Sequence, residues 1–327
     1  MAIEIGTINA DTVVKLGSTT IQSGYIGFNQ FYNTYTSILD LYPSAYHAYS
    51  LRKLKSTYTG FCLRIRRTTT TPTVTTTTVD LKFDVFNTIS MNSAITVVSG
   101  LGTTSAKTLS EFAIGTVDGF TAHSEIKVVT WYDQSGNNKN VTQTNANLQP
   151  RLVRLDTGVA TLETSVGKTS VRFTSGSSQG LILNDTSVPL NNVSSYVVGN
   201  PITTTSTNFF SLSNLTTSRY NVPGANTISY ISSGTFTGMT ITAGVNRLYE
   251  LICGTLTTSA YSNGTILSPS SVTSSILSNN RIRLGVIGSS GFDVYSNGYI
   301  SEAISFVGAS NRNEIESNIN TYYSIYV

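Results

Sequence analysis

An all-β sandwich is what this sequence predicts, and three observations predict it. Thr, Tyr, Val, Ile and Phe, which prefer a pleated and half-buried surface, are plentiful, helix formers such as Glu, Lys and Met are scarce, and Ser and Thr make up more than a quarter of the chain. Short β-type runs recur along most of the length, separated by clusters of Gly, Asn, Ser and Pro, without alternating strand and helix patterns. Only the last segment carries a convincing helical period. With 39% hydrophobic and 10% aromatic residues among 327, the chain can fill a core, and its length suits one large domain or two ordinary ones.

Taken in order, Ile3 to Gly6, Val13 to Gly17 and Tyr25 to Phe28 are β-type runs beside glycines, too short to enclose a core. Unpaired strand edges seek partners, so residues 1–42 are expected to form an arm for attachment or oligomerisation, followed by one domain over residues 43–327. Pro43 suits a first helical turn, and Ala45, Ala48, Leu51 and Leu54 recur at three-residue steps, which predicts a short helix at the domain entrance. Phe61 to Arg66 alternates apolar and basic residues as a half-buried strand does. The tract Thr68 to Thr78 reads as an exposed hairpin or tip with Pro72 in the turn. Strands are then expected over Val79 to Phe86, Ile126 to Tyr132, Ser170 to Phe173, Ser194 to Val198, Asn208 to Leu212 and Thr227 to Ile231. Others are expected over Met239 to Ile241, Asn246 to Cys253, Thr255 to Tyr261, Arg281 to Val286 and Ser301 to Val307. Thr108 and Glu111 have capping-box spacing around one helical turn, and Asn311 with Glu314 repeats it before Ile315, Ile319 and Tyr322, which share one helical face.

Several function classes fall away. No run approaches the roughly 18 apolar residues of a membrane span, and the N-terminus lacks a basic stretch followed by an apolar one, so no membrane partner and no signal peptide are expected. Cys62 and Cys253 have no second Cys or His nearby, which predicts two buried thiols and no metal site. A net charge of +3 from few charges gives no nucleic-acid signature, and dinucleotide and P-loop fingerprints are absent, so no cofactor is expected.

The most distinctive string is Trp131-Tyr132-Asp133-Gln134-Ser135-Gly136-Asn137-Asn138, at the end of an apolar strand and holding the chain's single Trp. It has two readings. Trp131 and Tyr132 can form a sugar platform, with Asp133, Gln134 and Asn137 bonding hydroxyls; or the two rings seal the core while Asp133 accepts backbone bonds in its own turn. Six of the 20 basic residues lie between Arg52 and Arg67, and Arg64 and Arg66 fall on one strand face without aromatics between them. That favours a solvated or carboxylate-paired face over a nucleic-acid surface, with Asp133 and Glu302 as candidate partners. Glycoside hydrolysis needs two carboxyl groups flanking the bond; Asp133, Glu163, Asp185, Glu250, Asp293 and Glu302 are the candidates, and their spacing singles out no pair. No Gly-x-Ser-x-Gly elbow occurs, and His47 and His123 read as surface or capping residues. No catalytic residue is assigned.

Together, Ala48 to Leu54, Tyr58 to Arg67, the string from Trp131 to Asn137, Gln149-Pro150, Lys168 to Phe173 and the closing Gly298 to Tyr323 resemble the catalytic domain of family 54 α-L-arabinofuranosidases. The resemblance covers roughly residues 43 to 327. It implies a concanavalin A-like jelly-roll, in agreement with the strand pattern. It also implies a general-acid aspartate just after a strand end that here reads Leu284-Gly285-Val286-Ile287-Gly288-Ser289-Ser290, and serine cannot serve as that acid. The family's nucleophilic glutamate would fall near Asn208 to Tyr220, which holds no carboxylate, so both halves of the two-carboxylate mechanism are expected to be lost.

The same blocks after Leu39-Asp40-Leu41-Tyr42-Pro43 are also similar to modules of tailed-bacteriophage virion proteins, and Val14 to Ile21 with Gly24 to Gly27 resemble short repeats found there. The implied function is a non-enzymatic virion protein, a head-fibre, decoration or tail component assembled in the host cytoplasm. Its arm would bind other virion proteins or copies of itself, and its sandwich would contact host cell-surface glycans through Trp131, Tyr132, Asp133, Gln134 and Asn137. Two alternatives stand beside it: a glycoside hydrolase with relocated carboxylates, Asp293 and Glu302 being the suspects, and a decoration protein without a ligand.

Overall fold

The structure is a computed structural model that describes residues 15–16, 19–20, 24–26, 29–31, 36–69, 75–100, 106–114, 125–156, 159–184, 192–203, 209–213, 220–221, 228–230, 234–237, 239, 241–273, 281–289, 292–308 and 311–326. The chain divides into two compact units, Met1–Thr36 and Ser37–Val327. In the first, Lys15–Leu16 pairs with Thr19–Thr20 and Gly24–Ile26 with Asn29–Phe31, each antiparallel. The division falls before Pro43 because a four-residue helix α1 (Ile38–Leu41) belongs to the second unit: Ile38 and Leu39 are buried, and the Leu39 amide donates to the Leu54 carbonyl at 2.8 Å.

The second unit is an all-β jelly-roll sandwich of antiparallel strands. Its principal strands are β1 (Ala45–Ser50), β2 (Leu63–Thr69), β3 (Thr75–Leu81), β4 (Ile95–Ser99), β5 (Ile126–Trp131), β6 (Val141–Thr142), β7 (Arg151–Asp156), β8 (Val171–Phe173), β9 (Leu181–Asn184), β10 (Val193–Pro201), β11 (Phe210–Ser213), β12 (Arg247–Cys253), β13 (Thr257–Ser262), β14 (Arg281–Leu284) and β15 (Gly298–Val307). One sheet runs β1-β15-β10-β12-β13. The other runs β4-β3-β2-β5-β6-β9-β14-β11. The short ladder β5-β7-β8-β15 joins them along one side.

Period-two patterning explains the layers. Leu63 and Ile65 of β2 and Ile126 and Val128 of β5 are fully buried between the sheets, while Arg64 and Arg66 turn away from them. On β12, Tyr249, Leu251 and Cys253 enter the same core, and Glu250 points to the opposite face. That face is covered by helix α3 (Arg312–Tyr323), which buries Ile315, Ile319, Tyr322 and Tyr323. Where α3 lies on it, the first sheet is therefore buried on both sides, and β10 is buried at every position.

This third layer accounts for the main correction to the sequence reading. Ala45 to Ser50 is a strand, where the spacing predicted a helix. Tyr49 packs into the core and Ser50 bonds to Glu302 on the helix side, so burial on both faces leaves no polar alternation to betray a strand. Smaller corrections follow. Thr75 to Leu81 closes earlier than Phe86 because the Asp84 carboxylate accepts from the Phe86 and Thr88 amides in a turn. Met239 and Ile241 lie outside any ladder. Asn311 is the N-cap of α3 but sits in the left-handed region at φ 61° and makes no side-chain cap, so the expected reciprocal bond with Glu314 is not formed. At α2 (Leu109–Ile114) the box does form: Glu111 N donates to Thr108 Oγ1 and Thr108 N to Glu111 Oε2, each at 3.3 Å. The β2–β3 hairpin is present, with Thr69 opposite Thr75, and Pro72 lies outside the described residues. Cys62 and Cys253 are buried free thiols, and burial pushes the Cys62 thiol pKa well up.

Candidate functional site

Strand β5 ends on Trp131, whose ring is wholly buried and lies 6.4 Å from Tyr49 in the core. The chain then turns back onto β1, and Asp133 holds that return. Its Oδ1 accepts from the amides of Ala48 (2.8 Å) and Ser135 (2.9 Å), its Oδ2 from Ser135 Oγ (2.7 Å) and the Lys139 amide (3.1 Å). Gln134, 1% exposed, accepts from the Leu54 amide and donates to the carbonyls of Ser50 and Arg52. Exposed Asn137 spends its amide nitrogen on the carbonyls of Ala45 and Tyr46. Thus Trp131, Asp133 and Gln134 are closed to a ligand from solvent, and the sugar platform on Trp131 is not formed. The junction needs apolar bulk inside and satisfied backbone groups at a buried turn, and those residues supply them. Of the five, Tyr132 alone presents a partly exposed ring.

The candidate carboxylates are likewise committed. Glu302, fully buried, takes a bidentate bond from Arg52 (Nε to Oε2 2.8 Å, Nη2 to Oε1 2.9 Å) and further bonds from Ser50 Oγ (2.6 Å) and Tyr323 Oη (3.3 Å). Burial and the nearby Glu316 carboxylate push Glu250 up to about 7 against the opposing pull of Arg312, whose Nη1 lies 2.9 Å from Glu250 Oε2. Glu163 receives Arg151 Nε at 2.5 Å. All three are buried, at 2% exposure or less. Asp185 lies outside the described residues; the backbone of Asp293 pairs with Gly288 across a hairpin, and its side chain is outside the description. Gly285 starts that hairpin at φ 75°, where a Cβ would collide with the Phe173 ring, so the strand end requires glycine. His47 is a core residue, fully buried and stacked 5.0 Å from Tyr49, which corrects the surface reading. His123 lies outside the described residues.

Pairing of the basic cluster is partly as expected. Glu302 takes Arg52, whereas Asp133 takes no arginine; Arg64 instead binds Asp80 through Nε and Nη2, both at 2.9 Å, and Arg66 Nε binds Gln149 at 2.7 Å. Sequence reasoning also missed the neighbours of Arg64. Tyr132 donates its hydroxyl to Asp80 Oδ1 at 2.8 Å, and the Arg64 guanidinium stands 5.9 Å from the Tyr132 ring centre. Phe61 lies 6.2 Å from Tyr132 ring to ring, with Lys82 Nζ 5.5 Å from the Phe61 ring centre. Burial and the Asp80 carboxylate push the Tyr132 hydroxyl pKa up, so it stays a donor. Three strand ends converge here, because Tyr132 N donates to Cys62 O and Cys62 N to Leu81 O.

No family model matches the sequence, and no curated protein matches it. Among solved structures, the chain is similar to a GH54 α-L-arabinofuranosidase soaked with a cyclic sulfate inhibitor, at 15% identity and a TM-score of 0.53 over 89% of this chain and 65% of that one. It is similar also to a mutant GH54 α-L-arabinofuranosidase soaked with 4-nitrophenyl α-L-arabinofuranoside, at 15% identity, a TM-score of 0.50 and the same coverage. The chain thus spans just under two thirds of the length of those enzymes. At this identity the likeness is one of architecture: the chain has a GH54-like fold.

Proposed function

We propose that this chain is a non-enzymatic structural protein of a tailed-bacteriophage particle. Its first unit attaches to other virion proteins or to copies of itself, and its sandwich displays a surface for host cell-surface glycans. The observation that carries the non-enzymatic part is the state of the carboxylates. Asp133, Glu163, Glu250 and Glu302 are each engaged by internal partners on a fold otherwise like that of a glycoside hydrolase. The virion part rests on the sequence resemblance and on the separate first unit. Display in many copies would turn a modest affinity per site into firm adhesion.

A second reading, glycoside hydrolysis, is favoured by one observation: Asp293 pairs across the hairpin with Gly288, next to the serine where the resemblance puts the acid. One assay separates the two. Purified protein is expected to release no arabinose from a nitrophenyl arabinoside and no reducing ends from host polysaccharide. Turnover that disappears in Asp293→Asn would establish the hydrolase instead.

A further inference from the structure

The surface beside Tyr132 has a chemistry that the buried Trp131 junction lacks. Phe61 and Tyr132 are both partly exposed and lie 6.2 Å apart at an interplanar angle of 42°, two tilted rings side by side. Tyr132 is fixed by its bond to Asp80, and Phe61 is backed by Tyr58, whose hydroxyl donates to the Phe61 carbonyl at 2.8 Å and whose ring packs edge-on against Phe83. The platform is therefore preorganised, which lowers the entropic cost of binding. Two cations border it. Arg64 keeps 34% of its side-chain surface exposed although its Asp80 partner is buried. Lys82 is exposed above Phe61, and no ion pair with a described residue holds it. Asp80 is neutralised by Arg64 and also accepts the Tyr132 hydroxyl, so Lys82 leaves the patch with a positive balance.

We propose that this face binds an acidic glycan: a uronic acid residue laid with its apolar ring face along Phe61 and Tyr132 and its carboxylate toward Lys82 and Arg64. Neutral sugars would offer Lys82 and Arg64 only hydroxyl oxygens as acceptors, whereas charge-assisted bonds to a carboxylate are the stronger kind. The proposal deepens the glycan-display reading and rests on it.

The full-length protein can be tested by affinity electrophoresis through gels containing polygalacturonate, its fully methyl-esterified form or dextran sulfate. Retardation by polygalacturonate is expected, with little by the ester or the sulfate. Lys82→Ala and Phe61→Ala should each weaken it about tenfold, while Arg154→Ala, an equal charge change elsewhere, should leave most of it. Circular dichroism of each variant confirms folding. Equal retardation by dextran sulfate, or equal loss in Arg154→Ala, would reduce the effect to bulk charge and overturn the proposal. Binding only to neutral glycans would overturn it while leaving glycan display standing; binding to no glycan on a broad array would remove both.

Discussion

Trp131 and Tyr132 are neighbours in the chain with opposite duties, and the difference follows from the pleat. Successive side chains on a strand point to opposite faces, so the end of β5 sends Trp131 into the core and Tyr132 toward Asp80 and Arg64. An aromatic pair at a strand end cannot show in sequence which ring faces in, and that is why the sealing and platform roles both stood open there. The roles separate in mutants. Trp131→Ala removes a wholly buried indole and should cost about 3–5 kcal/mol, read as a large drop in denaturation midpoint. Tyr132→Ala should cost far less stability and abolish retardation by polygalacturonate instead. If Trp131→Ala kept wild-type stability, the sealing role would be wrong.

At the level of elements, strands with one face inward and one face outward were legible: β2 and most of β5 alternate as written. β1 was not, because α3 buries its second face and erases the polar half of the pattern. The same layer under α3 concentrates buried charge. Arg312 serves both Glu250 and Glu316, with Nη1 at 2.9 and 2.5 Å, its guanidinium stands 3.9 Å from the Tyr261 ring centre, and Tyr326 donates to Glu316. One cation does not neutralise two carboxylates. Burial first, and Glu316 second, raise Glu250 to about 7 from an ordinary value of 4.5. A raised acid binds its proton more tightly in the folded state, so its stabilising contribution is complete below about pH 4.5 and is lost as pH rises through 7. The shift corresponds to something on the order of 3 kcal/mol across that window. Thermal melts should therefore show the sandwich losing stability from pH 5 to pH 8, and Glu250→Gln, which mimics the protonated acid, should flatten that slope. A wild-type slope unchanged in Glu250→Gln would place the titration elsewhere.

For the whole molecule, the architecture was legible and the site was not. Strand number and turn chemistry are properties of contiguous residues, so they survive in a sequence. The cluster of Phe61, Arg64, Asp80, Lys82 and Tyr132 exists only through the register of β2 with β3 and β5, which sets residues from three segments side by side. Candidate carboxylates had the same difficulty: that Glu302 belongs to Arg52 and not to a cleft depends on β1 lying next to β15. The division of labour along the chain is a further property of this scale. The second unit begins at Ser37 and keeps α1, whose Leu39 amide is bonded to Leu54. A chain of residues 37–327 should then unfold cooperatively within a few degrees of the full-length protein and be retarded equally by polygalacturonate. It should also fail to enter particles or form oligomers, as read by sedimentation of assembled particles and by light scattering. Truncated protein that still assembles would move the attachment surface onto the sandwich, and truncated protein that unfolds would make the first unit a part of its core.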